Sequence, residues 1–101
     1  MPVLIEKQEL TLTAHIQGEI DHHNVPEIRR EIDFAAERYH PEKLVLDFGE
    51  VTFMDSSGIG LVMGRYKTIK SLGGKITVVN TSSQIKKVMK LAGLDHLAEI
   101  E

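Results

Sequence analysis

The chain has 101 residues, of which 42% are hydrophobic and 27% charged, with a net charge of −3 and no cysteine. That size and balance fit one folded domain over residues 1–101, without disulfide staples or thiolate chemistry. No basic block exists to neutralise phosphates, so direct DNA binding is not expected. The longest uncharged apolar stretch, between Asp55 and Arg65, falls far short of the roughly 20 residues of a membrane helix.

The opening "MPVLIEKQEL" lacks the basic region and long apolar run of a secretion signal, and the expected setting is the cytoplasm. "PVLIE" reads as a short strand. "ELTLTAHIQG" (9–18) alternates Leu10, Leu12, Ala14 and Ile16 with polar residues, the period of a half-buried strand that pairs with the first as a hairpin. "NVPEIRREIDFAAERYH" (24–40) then spaces Val25, Ile28, Ile32, Ala35, Ala36 and Tyr39 along one helical face. Asn24 is its expected N-cap, with Pro26 in the first turn. "KLVLDF" (43–48) is an apolar run broken only by Asp47, as expected of a central strand.

A second helix follows "MDSSGIG" (54–60), with Ile59, Val62, Met63, Tyr66 and Ile69 as its stripe and Gly73-Gly74 as its stop. Gly60 and Gly64 suggest a smooth strip where this helix lies close to the sheet. "KITVV" (75–79) is β-branched and strand-like. "TSSQIKKVMKLAG" supplies hydroxyl caps, a stripe of Ile85, Val88, Met89 and Ala92, and Gly93 as a terminator. "HLAEI" (96–100) reads as a last short strand. The basic pairs in "IRR" and "IKK" fall on helices and read as solvated faces. The order β-β-α-β-α-β-α-β implies an α/β domain whose mixed sheet is mostly parallel, with one antiparallel edge.

In such sheets functional loops lie beyond the carboxyl ends of the strands, where both "GEIDHHN" (18–24) and "MDSSGIG" fall. A serine hydrolase would place its nucleophile in G-x-S-x-G, but Met54 and Asp55 stand two residues before Ser56 and Ser57. His22 and His23 are adjacent, and with no H-E-x-x-H they read as polar loop residues rather than metal ligands. "GIGLVMG" misses the dinucleotide spacing by one residue, and no P-loop lysine follows. Two readings of Asp55, Ser56 and Ser57 remain. One is ordinary helix capping. The other is a functional segment, either a reachable serine for a kinase or a small nucleotide- or anion-binding module using the helix N-terminus over Ser56–Gly60.

Taken together, "GEIDHHN", "LVLDF" (44–48), "FMDSSGIGLVMGRYK" (53–67), "GGKITVV" (73–79) and "LAGL" (91–94) resemble the STAS-domain anti-anti-sigma factors. The match covers nearly the whole chain in the same order. It lies nearest the sporulation branch, the antagonists of the anti-sigma F factor, which "DHHN" and "GRYK" favour over the stress-response branch. The resemblance implies a partner-switching protein that is not an enzyme and holds no cofactor, nucleotide entering only through its partner. That partner would be an anti-sigma factor that is also a serine kinase. It would phosphorylate the first serine of D-S-S-G, here Ser56, and a serine phosphatase would reverse the modification. Asp21, Asp55, Ser56, Ser57 and Gly58 are then the expected partner-binding residues. Members usually continue into a further C-terminal helix, whereas this sequence stops at Glu101, so a helix has been removed or this member is short. On this reading Asp21 and Ser56 share one surface with Gly58 exposed beside them, Asp21→Ala leaves stability nearly unchanged, and Ser57 caps or packs the helix start.

Overall fold

The computed structural model describes residues 2–101. A hairpin begins the chain: β1 (Val3–Gln8) runs antiparallel to β2 (Thr11–Ile20), with Val3 opposite Ile16 and Gln8 opposite Thr11. The turn takes Glu9, at φ 56°, and Leu10, which is exposed rather than continuing the inward row expected of it. Helix α1 (Val25–Tyr39) leads to β3 (Lys43–Met54), α2 (Ser56–Ser71) to β4 (Lys75–Val79), and α3 (Ser83–Leu91) to β5 (Glu99–Ile100). The sheet order is β1-β2-β3-β4-β5, antiparallel only between β1 and β2. "HLAEI" thus supplies a two-residue strand, and Leu94–His96 forms a 3-10 turn before it.

The core follows from alternation. Leu12, Ala14 and Ile16 of β2, Leu44, Leu46 and Phe48 of β3, and Ile76 and Val78 of β4 are buried on one face of the sheet. Onto them α1 lays Ile28, Ile32, Ala35 and Ala36. Tyr39, expected in that row, is exposed at the last turn. The face of α2 differs more. Gly58, Leu61, Val62, Arg65 and Ile69 are its buried residues, while Ile59, Met63 and Tyr66 lie at the margin. Gly60 and Gly64 face open space instead of the sheet, because they lie on the opposite side of the helix from that inner row. In α3 only Met89 is fully buried, and Val88 and Ala92 are exposed.

Helix α2 stops where Gly73 takes φ 83°, a left-handed conformation that favours glycine. The Gly73 N–H then donates to Lys70 O and the Gly74 N–H to Ile69 O, satisfying carbonyls the helix leaves open. Arg65 of α2 and Asp33 of α1 meet at 2.8 Å, with Arg65 buried in the seam between the helices. Burial pushes the Asp33 carboxyl up against the opposing pull of Arg65, and burial lowers the Arg65 guanidinium from its very high ordinary value. The pair fixes α1 against α2.

β3 runs past the expected end at Phe48 to Met54, carrying two irregularities against β2. Between His15 and Gln17, and again between Gly18 and Glu19, β3 has one more residue than its neighbour. Such bulges break the period of two that marks a strand and re-aim the residues beyond them. The first lies beside a polar cluster on the sheet face opposite the core. There His15 Nδ1 is 2.9 Å from Asp47 Oδ2, and Nε2 is 2.9 Å from Glu6 Oε1. Asp47 Oδ1 accepts from the Gly49 N–H and from Asn80 Nδ2, so the cluster joins β1, β2 and β3 to the end of β4.

The Glu6 hydrogen bond raises the His15 pKa above its ordinary value, burial opposes it, and Asp47 adds to the rise. Burial would raise Asp47, but the hydrogen bonds from Asn80, Gly49 and His15 outweigh it and hold that carboxyl low. A raised histidine contributes stability that is complete below its unfolded value and disappears as pH climbs through its folded value. A depressed carboxyl contributes above its unfolded value and is lost as pH falls through its folded one. The cluster therefore stabilises most between the ordinary values of about 3.8 for Asp47 and 6.5 for His15. Urea unfolding is expected to show stability declining as pH rises above about 6.5, with that part of the decline absent in His15→Gln.

Candidate functional site

The parallel pairing of β2 and β3 ends with Ile20 opposite Met54, and the Asp55 N–H donates to Ile20 O at 3.1 Å. Asp21 and Asp55, the next residue on each strand, therefore start neighbouring loops at one edge of the sheet. Each acid serves the backbone of its own loop. Asp21 Oδ1 accepts from the N–H groups of His23 and Asn24, both at 3.0 Å. Its carbonyl accepts from Asn24 and Val25, so the α1 turn begins at Asp21.

Asn24, expected to cap α1, is already helical at φ −90° and ψ −26°, a conformation from which its side chain makes no cap bond. It donates instead to Glu19 O at 3.0 Å, holding the loop against the end of β2. Asp21 is half-buried and its carboxylate holds two backbone N–H groups, so Asp21→Ala is expected to lower stability more than a nearly unchanged melting point would allow.

At α2 the N-cap is Asp55, extended at φ −98° and ψ −171°, with Oδ1 accepting from the Ser57 N–H at 2.8 Å. The Ser57 hydroxyl donates to the same oxygen. Ser57 is thus a half-buried donor to the cap rather than the cap. These two Ser57 bonds are the main reason the Asp55 carboxyl sits below the ordinary carboxylate range. His22, reaching over from the neighbouring loop, adds to the effect. The His22 and His23 rings lie against each other, centres 4.1 Å apart and tilted by 37°, and among the described residues no cluster of metal-ligating side chains forms.

Ser56, the first residue of α2, is exposed, and its hydroxyl has no hydrogen-bond partner among the described residues. Gly58, expected on the surface, is buried. A Cβ there would come within 2.3 Å of Met54 Cγ and 3.2 Å of Ile20 Cγ2, so the glycine lets α2 start directly over the ends of β2 and β3. The bare surface lies two residues further on, across the helix, at Gly60, which is exposed and faces open space. Its i+4 spacing from Ser56 was the signal that could have marked it. An anion approaching the α2 N-terminus would meet the Asp55 carboxylate already occupying the cap, which disfavours the phosphate-cradle reading.

The whole described chain, residues 2–101, matches the STAS domain family. The chain belongs to that family. The anti-sigma F factor antagonist of Paenibacillus polymyxa is 33% identical over 99% of this STAS domain and 86% of the relative. The anti-sigma-B factor antagonist of Bacillus subtilis is 28% identical over 95% and 86%. The Bacillus protein SpoIIAA is an anti-sigma factor antagonist solved in two states. Its unphosphorylated form superposes with a TM-score of 0.84 at 31% identity, covering 98% of this chain and 87% of SpoIIAA. Its phosphorylated form gives 0.77 at 31% identity, covering 98% and 90%.

Two substitutions probe how this STAS domain builds the corner. Asp55→Ala is expected to cost about 0.5–2 kcal/mol, as the loss of an N-cap does, and Ser57→Ala less, because the Ser57 N–H keeps its bond to Asp55. Gly58→Ala is expected to cost about 1–2 kcal/mol in the native sequence and less in a Met54→Ala background, where the two nearest crowding atoms are gone and Ile20 Cγ2 at 3.2 Å remains. Denaturant midpoints of the singles and the double check both.

Proposed function

We propose that this STAS domain is an anti-anti-sigma factor. Its unmodified form binds an anti-sigma factor that is also a serine kinase and so frees the sigma factor, and phosphorylation of Ser56 switches that binding off. The observation that carries this reading is the contrast between the two serines. Ser57 spends its hydroxyl on Asp55, whereas Ser56 presents an exposed, unengaged one at the helix start. The partner surface we assign comprises Asp21, Asp55 and Ser56 with the bare backbone at Gly60, while Ser57 and Gly58 shape it from beneath. The phosphorylated structure of SpoIIAA and the names of the similar proteins support the same role. Within that role we favour control of sporulation transcription in the cytoplasm, with a serine phosphatase reversing the switch. The higher identity to the anti-sigma F antagonist supports sporulation over the stress response.

Magnitudes decide how the phosphate acts. It adds about −1.5 to −2 charges at neutral pH. At a helix N-terminus that charge favours the folded domain by about 0.3–1 kcal/mol. In the complex it lies against a partner surface fitted to a neutral hydroxyl. With an effective dielectric near 20, each added charge about 8 Å from one acidic group of the partner costs about 2 kcal/mol. The sum of about 3–4 kcal/mol corresponds to roughly a hundred- to a thousandfold in affinity before screening. Repulsion at the interface wins, and the fold survives.

The test is to mix the protein with a candidate anti-sigma kinase and ATP and map the phosphate by mass spectrometry, expecting it on Ser56. Ser56→Asp is expected to keep the native circular dichroism spectrum and melting point while binding the kinase at least about a hundredfold more weakly. Ser56→Ala should bind and resist phosphorylation. Phosphate on Ser57 alone, or full affinity in Ser56→Asp, would refute the mechanism.

A further inference from the structure

The seam between β1 and α1 is separate from the Ser56 corner. β1 is an edge strand, hydrogen-bonded to β2 on one side only, and its residues nearest the seam pair with the start of β2. Ser56 follows the far ends of β2 and β3. Alternation sends Glu6 to the face where it meets His15, and leaves Ile5 and Lys7 on the helix side. Beside them an open groove of about 530 Å³ is floored by Ile5, Phe34, Ala35 and Tyr39. Phe34 is 69% exposed, an unusual position for the largest apolar side chain of α1.

The charges around this groove are one-sided. Lys7, Arg30 and Arg38 line it against a single acid, Glu31, in a chain whose net charge is −3. Lys7 Nζ and the Arg38 guanidinium lie 5.3 and 5.6 Å from the centre of the Tyr39 ring, which holds both cations at the groove.

We propose that the β1 edge and this groove form a docking site for an extended segment of a partner protein, apolar at its centre and acidic at its flanks. A strand added to β1 satisfies backbone groups that the edge leaves open, and every second side chain of that strand points to the helix side. An apolar residue there covers Phe34 and Ile5, and acidic neighbours meet Lys7, Arg30 and Arg38. A second copy of β1 is a poor occupant. Its Glu6 and Lys7 cancel, so it offers no complement to three cations.

The probe is a fluorescein-labelled nine-residue peptide with valine and leucine at alternate central positions and two acidic residues at each end. Saturable binding is expected, with amide shifts concentrated in Val3–Gln8 by NMR and affinity falling as salt rises. The Arg30→Glu/Arg38→Glu pair and Phe34→Ala, all at exposed positions, should each weaken binding by about tenfold or more. Ser56→Asp should bind the peptide as the native protein does, which separates this site from the switch. A control peptide of equal charge with prolines at the central positions cannot donate the main-chain hydrogen bonds and should not bind. Equal binding of that control, no saturable binding up to millimolar peptide, or a dimer dissociated by Phe34→Ala in sedimentation would overturn the proposal.

Discussion

The rest of the molecule depends on the last rung of the β2–β3 ladder. Parallel strands deliver their carboxyl ends to the same edge of a sheet, and here the Asp55 N–H reaching Ile20 O locks the two ends level. That bond makes neighbours of two loops that lie more than thirty residues apart in the chain (Asp21 and Asp55). Gly58 completes the constraint, since with no side chain α2 can begin directly over Ile20 and Met54. Without that close approach the helix would start further out, and the two loops would not form one surface.

Both loops use an aspartate in the same way. Asp21 organises the N–H groups that start α1, and Asp55 those that start α2. Each carboxylate is a stronger acceptor than a hydroxyl, and each puts negative charge at the favourable end of a helix. The consequence for chemistry lies in what remains. With Asp55 and Ser57 bound to each other, Ser56 carries no structural duty, and a group can be added to it without unmaking the helix start. A switch that must turn binding off while sparing the fold needs that division of labour.

Elsewhere, polar contacts hold the elements that carry the corner. The buried Arg65–Asp33 pair sets α1 against α2 and thereby fixes the two helix starts relative to each other. On the opposite sheet face, His15, Glu6, Asp47 and Asn80 tie four strands together where the β3 bulges interrupt regular pairing. Removing one partner of either set leaves a partly buried charge unmatched, which is costlier than never having had the pair. The two clusters brace the frame and leave the Ser56 surface uncommitted.

By itself the sequence determined the element order, the mixed sheet and most of the inward rows of β2 and α1, because these rest on local periodicity. The segments of the corner were also legible, as two acid-containing stretches following strands. What periodicity could not assign were the exceptions. The strand beyond Phe48 was hidden by two bulges that erase alternation. The burial of Arg65 and Gly58 was hidden because a charge and a glycine carry no hydrophobic signal. Asn24 looked like a cap from its type alone, yet the backbone had already entered the helix at that position. Only the tertiary structure decided which serine is free and which glycine is buried. Those outcomes depend on how α2 is set down on the ends of β2 and β3, and no property of a seven-residue stretch specifies the surface it will be pressed against.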